Sequence, residues 1–225
     1  MLAQRLSAIL QSLENAAIAS DRPPPRLLAV SKTQTATAVA ALAAAGQRAF
    51  GENYVQEAQA KIGALAQAGL EWHLIGHLQS NKAETAANLF DWVQTVDRLK
   101  LVAALARFRP PHRPPLNVLV QVNIDDEASK HGCAPEQVAE LAEAIEREPR
   151  LTLRGLMAIP TPHADLEARR PAYRSMAALF DALAARHSSV DTLSMGMSDD
   201  FPLAIAEGAT MVRIGTALFG PRSRE

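Results

Sequence analysis

The sequence is poor in cysteine, aromatic residues and net charge, and each shortage removes a class of answer. Cys133 is the only cysteine among 225 residues, so an intramolecular disulfide is excluded and a reducing compartment is expected. It has no CxxC partner, which makes a packed loop thiol the plain reading. Aromatics form 4% of the chain, too few for the stacking platforms of a carbohydrate site. Lys plus Arg total 23 against 24 Asp plus Glu, for a formal charge of -1. A chain this neutral lacks the electrostatic footprint that nucleic acid or an anionic membrane selects. No apolar run approaches the ~20 residues needed to span a bilayer. Arg5, Glu14 and Asp21 break up the N-terminus, so no signal-peptide core is present. A soluble, cytoplasmic protein is expected. None of the six histidines falls in HExxH or another close ligand spacing, so no metal site is expected. The acids Asp125, Asp126, Glu127, Asp199 and Asp200 read as solvated loops or helix caps.

What is present is an alternation of two textures. Residues 2–20 put Leu2, Leu6, Ile9, Leu10, Leu13 and Ala17 on one face, an amphipathic helix stopped by Pro23, Pro24 and Pro25. Short aliphatic runs then recur at Arg26–Ser31, Arg48–Gly51, Glu71–Gly76, Trp92–Val96, Asn117–Ile124, Leu153–Ile159, Thr192–Gly196 and Met211–Gly215. Between them lie stretches of helical spacing: Thr35–Ala45, Tyr54–Ala68, Arg98–Phe108, Pro135–Glu148 and Leu166–Arg186. Strand–helix alternation predicts a parallel sheet, and eight units predict a (β/α)8 TIM barrel with an extra N-terminal helix, one domain over residues 1–225. An open doubly wound sheet would favour a glycine-rich turn after the first strand, where Ser31-Lys32-Thr33 stands instead. The proline-rich Arg109–Pro115 segment reads as a connection at the opposite end of the barrel.

In such barrels chemistry gathers where strands end at their C-terminal side. Leu28, Val30 and Lys32 share a face, so Lys32 follows two inward aliphatic positions. A lysine among apolar walls loses hydration, which favours the neutral amine that attacks carbonyls; the alternative is a lysine snorkelling to solvent. Arg213 shares a face with Met211 and Gly215 and should also point inward, toward a carboxylate or a bound ligand. Gly215-Thr216 opens a short helix-like segment, and Ser198 follows the seventh run, where barrels often hold phosphate. A Gly-Thr pair also simply caps helices. His77 stands at the rim after the third run, as a ligand contact or as a hydrogen-bonded rim residue.

Several ordered stretches resemble one family: Leu28-Ala-Val-Ser-Lys-Thr33, Phe50-Gly-Glu-Asn-Tyr-Val-Gln-Glu57, Trp72-His-Leu-Ile-Gly-His-Leu-Gln-Ser-Asn-Lys82, Gly155-Leu-Met-Ala-Ile-Pro160, Leu193-Ser-Met-Gly-Met-Ser-Asp-Asp200 and Val212-Arg-Ile-Gly-Thr-Ala-Leu-Phe-Gly220. Together, from Leu27 to Gly220, they are similar to the pyridoxal 5'-phosphate homeostasis proteins. That resemblance implies a barrel like the N-terminal domain of alanine racemases, with pyridoxal 5'-phosphate (PLP) as cofactor. It implies Lys32 as the Schiff-base lysine carrying PLP as an aldimine, Ser198, Gly215 and Thr216 around the phosphate, and Arg213 facing the pyridine nitrogen. Asn53, His77 and Met195 fall in motifs lining the cofactor.

The resemblance further implies a non-catalytic protein that holds PLP and hands it over, with apo PLP-dependent enzymes as candidate recipients. A cation beside the ring nitrogen weakens PLP as an electron sink, although racemases work with an arginine there. The chain stops after the eighth unit, without the second domain that supplies the racemase tyrosine, so a monomer is expected. A small PLP-dependent amino-acid racemase is the alternative, with a Schiff-base aldolase behind it.

Overall fold

A computed structural model describes residues 1–127 and 131–220. Among them, eight strands close into an all-parallel barrel in sequence order. They are β1 (Arg26–Val30), β2 (Ala49–Glu52), β3 (Glu71–Leu74), β4 (Trp92–Val96), β5 (Leu116–Gln121), β6 (Leu151–Met157), β7 (Thr192–Met197) and β8 (Met211–Ile214). Closure is made by β1 on β8, with Leu28 opposite Arg213 and Ala29 opposite Ile214. The expected (β/α)8 barrel is what forms.

The helices are α1 (Leu2–Ala19), α2 (Ala36–Ala44), α3 (Val55–Ala64), α4 (Ala83–Leu89), α5 (Leu99–Phe108), α6 (Val138–Glu146), α7 (Arg170–Ala184), α8 (Phe201–Ala206) and α9 (Thr216–Phe219). Thr35 caps α2 by accepting from the Ala38 N–H. The helical stretches read from Tyr54, Pro135 and Leu166 each include a 3-10 turn, at Ala66–Ala68, Pro135–Gln137 and Glu167–Arg169. The helices α4 and α8, with seven and six residues, are too short for the sequence's helical spacing to reveal. The short α8 and α9 leave the outer face of the β8–β1 seam thinly covered, and α1 packs against α8, α9 and α2, burying Leu6, Leu13 and Ala17.

Strand alternation divides the apolar residues into two layers. Leu27, Ala29, Val212 and Ile214 join the main core between sheet and helices. Leu28, Ala49 and Met211 pack together inside the barrel with Ile75, as do Trp92, Leu119 and Met157. The proline-rich segment does more than connect. Arg109 is buried and donates to the carbonyls of Ala87, Phe90 and Pro114 at 2.7–2.8 Å. It thereby satisfies backbone acceptors at the end of α4 that no side chain of that helix reaches.

Candidate functional site

The C-terminal ends of β1, β7 and β8 surround a cleft of about 360 Å³. Lys32 and Arg213 both line it, together with Ser198, Gly215, Thr216 and Asn53; Val30, Ile75 and Ile159 supply apolar wall. Six of the eight residues singled out from the sequence therefore meet at one opening. Gly215 packs on the end of β1, where an added Cβ would sit 3.3 Å from the Val30 carbonyl oxygen. Gly76 lets the β3 end pass the Asn53 backbone, since a Cβ there would lie 2.1 Å from its carbonyl oxygen.

Lys32 is held between two fixed neighbours. Ser31 is buried, and its hydroxyl donates to Glu52 Oε1 at 2.5 Å. Lys61, also buried, donates to the Ser31 carbonyl at 2.6 Å, to Glu52 at 2.8 Å and to Glu57 at 2.7 Å. Thr33 has φ 64°, a left-handed conformation costly for a β-branched residue, and its N–H donates to Glu57. Burial raises the Glu52 pKa despite its bonds to Lys61 and Ser31.

Arg213 lies inside the barrel, as its strand phase predicted, and is 4% exposed. Its partners are neutral: the Ser194 hydroxyl and the Ala158 carbonyl, each at 2.8 Å. Among the described residues it makes no ion pair. Burial lowers its pKa to about 10. A cation held by neutral acceptors at the floor of a cleft is suited to an anionic or electron-rich ligand.

The β7–α8 loop carrying Ser198 is tied down by Asp200. This carboxylate accepts from the Met197 N–H at 2.8 Å, from the Tyr173 hydroxyl at 2.8 Å and from Arg169. Tyr173 thus serves as a buried strut, and burial beside Asp200 pushes its phenol pKa up.

Two residues read from motifs lie elsewhere. Met195 is fully buried in the layer between sheet and helices, and its neighbour Ser194 is the β7 residue that reaches Arg213. His77 lines an adjoining cavity that shares Asn53, Ile75 and Ile159 with the cleft. Ser194 and the buried Gln94 and His73 behind it were not selected from the sequence. Small polar residues inside apolar runs give little signal before their partners are known.

The alanine racemase N-terminal domain signature spans residues 5–223. The chain is 52% identical over 223 residues to a pyridoxal phosphate homeostasis protein of Pseudomonas aeruginosa, covering 98% of this chain and 96% of that one. It is 50% identical over 226 residues to the Escherichia coli protein of the same name, covering 98% and 97%. The chain belongs to the pyridoxal phosphate homeostasis proteins of the alanine racemase N-terminal domain family. Within solved structures, PipY of Synechococcus elongatus without PLP matches with TM-score 0.88 at 35% identity, over 98% of this chain and all of that one. PipY with PLP bound matches with TM-score 0.82 at 36% identity and the same coverage. The D-threonine aldolase of Filomicrobium marinum, at 17% identity and TM-score 0.76 over 97% of this chain and 60% of that one, shares the fold alone.

Proposed function

We propose that the protein binds PLP in the Lys32–Arg213 cleft and serves PLP homeostasis in the cytoplasm, without a catalytic reaction of its own. The observation that carries this reading is the meeting of a strand-end lysine, a buried arginine hydrogen-bonded to neutral acceptors and a hydroxyl-and-glycine turn around one opening. The residues fit the group. The cleft lies in the usual range of about 300–1,000 Å³ for small-molecule sites, and its wall combines apolar surface with few polar groups.

PLP supplies an aldehyde, which an amine captures reversibly, and a doubly charged phosphate. Lys32 offers the amine at the end of β1. The Ser198 and Thr216 hydroxyls and the Gly215–Thr216 backbone line the same cleft and would hold the phosphate, since such donors favour an anion. Arg213 would face the pyridine nitrogen, and a positive charge there would disfavour its protonation, which suits holding the cofactor over stabilising a carbanion. Asn53 stands on the cleft wall. His77, and Met195 through its packing, support the mouth from outside it. A single barrel over residues 1–225, acting as a monomer and delivering PLP to apo PLP-dependent enzymes, completes the proposal.

The test is near-visible absorption of the purified protein, then borohydride reduction and mapping of the modified peptide. A yellow protein with the reduced adduct on Lys32 supports the reading, and Lys32→Ala should lose the adduct while keeping some PLP. A protein that stays colourless and unmodified after incubation with PLP overturns it. Exchange of the α-proton of an added amino acid with deuterated solvent would instead indicate a racemase-type enzyme.

A further inference from the structure

The ends of three consecutive strands bring a second group of side chains to the barrel mouth, beside the Lys32 cleft. Asp97 follows β4 directly, Gln121 ends β5, and His77 lies three residues beyond β3. His131 joins them from the segment after β5, which pairs back through Val122 and Cys133. Its position is fixed by backbone bonds from Cys133 to Gln121 and from Asn123 to Cys133, each 2.9 Å. The ligating atoms of His77, Asp97 and His131 all lie within 4.8 Å of one another.

We propose that His77, Asp97 and His131, with the Gln121 carboxamide oxygen, form a binding site for a divalent transition-metal ion of the zinc type.

Three observations support it independently of the cofactor. First, one buried acceptor at this point has no donor. The Gln121 side chain donates through Nε2 to the His131 carbonyl at 3.1 Å, which fixes the amide orientation and leaves Oε1 buried with no partner. Gln121 is 6% exposed and lines the same cavity, about 260 Å³, as both imidazoles. Second, the imidazoles stack with centroids 3.7 Å apart and planes 14° apart. That stack brings two imidazole nitrogens, the commonest metal ligands in proteins, to one point of the rim. Third, the donor set selects the ion. Two imidazole nitrogens with carboxylate and amide oxygens suit zinc, nickel or copper over magnesium or calcium.

Asp97 already binds Arg98 through Oδ1 at 2.5 Å, while its Oδ2 faces His77 Nδ1 at 3.9 Å. The second oxygen is the one available to a metal, and the charge of Arg98 lowers the expected affinity. Among the described residues Cys133 is not part of this convergent set. A tetrahedral centre with bonds of ~2.0–2.1 Å has ligand atoms about 3.3 Å apart. Both histidines are exposed, so side-chain rotation suffices to close that distance and to turn the ring lone pairs inward. Spacing along the chain could not reveal the site, because its members come from different βα units.

The test uses the tag-free full chain, titrated with Zn²⁺ by calorimetry and with Co²⁺ by visible absorption. One equivalent per chain is expected, with a d–d band of nitrogen and oxygen coordination for Co²⁺. Binding should be lost in His77→Ala and in His131→Ala, and weakened at least about tenfold in Asp97→Asn. The control variants His112→Ala and His163→Ala should bind like the parent. No saturable binding, or equal binding by a His77→Ala/His131→Ala double variant of unchanged circular dichroism, overturns the proposal. The assignment is independent of PLP, so a colourless protein that still binds Zn²⁺ through these residues leaves it standing.

Discussion

Arg213 Nη1 donates to Ser194 Oγ at 2.8 Å, and this bond begins a chain of donors running one way down the barrel axis. Ser194 donates to Gln94 Oε1 at 2.7 Å, Gln94 Nε2 lies 2.9 Å from His73 Nδ1, and His73 Nε2 lies 2.5 Å from Glu71. Glu71 also meets Arg26 at 2.8 Å, on the far side of the barrel from the cleft. Each group donates to the next when His73 is the neutral Nε2–H tautomer. A buried cation at one end and a carboxylate at the other orient every dipole between them.

That chain makes Gln94 a positioning residue for Arg213. Gln94→Leu strands the Ser194 hydroxyl and the His73 ring nitrogen, each at about 1–3 kcal/mol. The urea midpoint should fall. The absorption band of the Lys32 adduct should shift, because Ser194 no longer fixes where the guanidinium sits. A variant with lowered stability but an unchanged spectrum and PLP affinity would confine Gln94 to packing.

Thr216 tests the proposed phosphate contact. Replacing it with alanine removes one hydroxyl donor at the turn into α9 and leaves the fold untouched, since the side chain is exposed. Loss of one charge-assisted hydrogen bond costs about 1–2 kcal/mol, or roughly five- to thirty-fold in Kd. Equilibrium dialysis of PLP should show that weakening, with no change in thermal midpoint. Retention equal to the parent would remove Thr216 from the site.

The residues that line the cleft were legible where a charged side chain fixed the strand phase. Lys32 and Arg213 stand in runs whose alternating aliphatics mark the inner face. In β7 no charge does so: Met195 falls in a motif and packs in the outer core layer, while Ser194 is the residue that reaches Arg213. The Ser194–Gln94 bond joins positions 100 residues apart, a pairing only the closed barrel creates. Arg109 looked connective because its partners are backbone carbonyls, which leave no mark in the sequence. The fold was the easier inference, since eight repeated units are a pattern and a buried polar chain is not.

The same polar chain sets a pH dependence. Burial holds the His73 pKa below its ordinary 6.5, so the unfolded chain takes up this proton first as pH falls. Burial would raise the Glu71 pKa, but His73 and Arg26 together hold it down to about 2, against an ordinary 4.5. Both depressed values act in one direction: the unfolded state binds more protons, so stability falls with pH. The His73 contribution fades below about pH 6.5 and the Glu71 contribution below about pH 4.5, toward its folded value near 2. The urea midpoint should therefore drop between about pH 7 and pH 5. His73→Asn should flatten that slope more than His77→Ala, whose pKa is also lowered by burial. A parent midpoint independent of pH across this window would contradict the buried, neutral His73.

Lys61 offers the sharpest separation of stability from the placement of Lys32. Its ammonium is buried and joins three carriers of negative charge or lone pairs: Glu52, Glu57 and the Ser31 carbonyl. Lys61→Met leaves Glu52 fully buried without its cation, and breaking such a pair costs about 3–5 kcal/mol. Adding Glu52→Gln removes the stranded charge and should restore part of the urea midpoint. It cannot restore the bond to the Ser31 carbonyl, nor the hold on Glu57 that keeps Thr33 in its left-handed conformation. The double variant should therefore recover stability while still reacting slowly with PLP, read as adduct formed at Lys32 per minute under borohydride trapping. If trapping recovers together with stability, the Lys61 cluster is a buried ion pair and nothing more. If it stays slow, the Lys61–Glu52–Glu57 cluster holds the backbone on either side of Lys32 in the position from which its amine reaches the cleft.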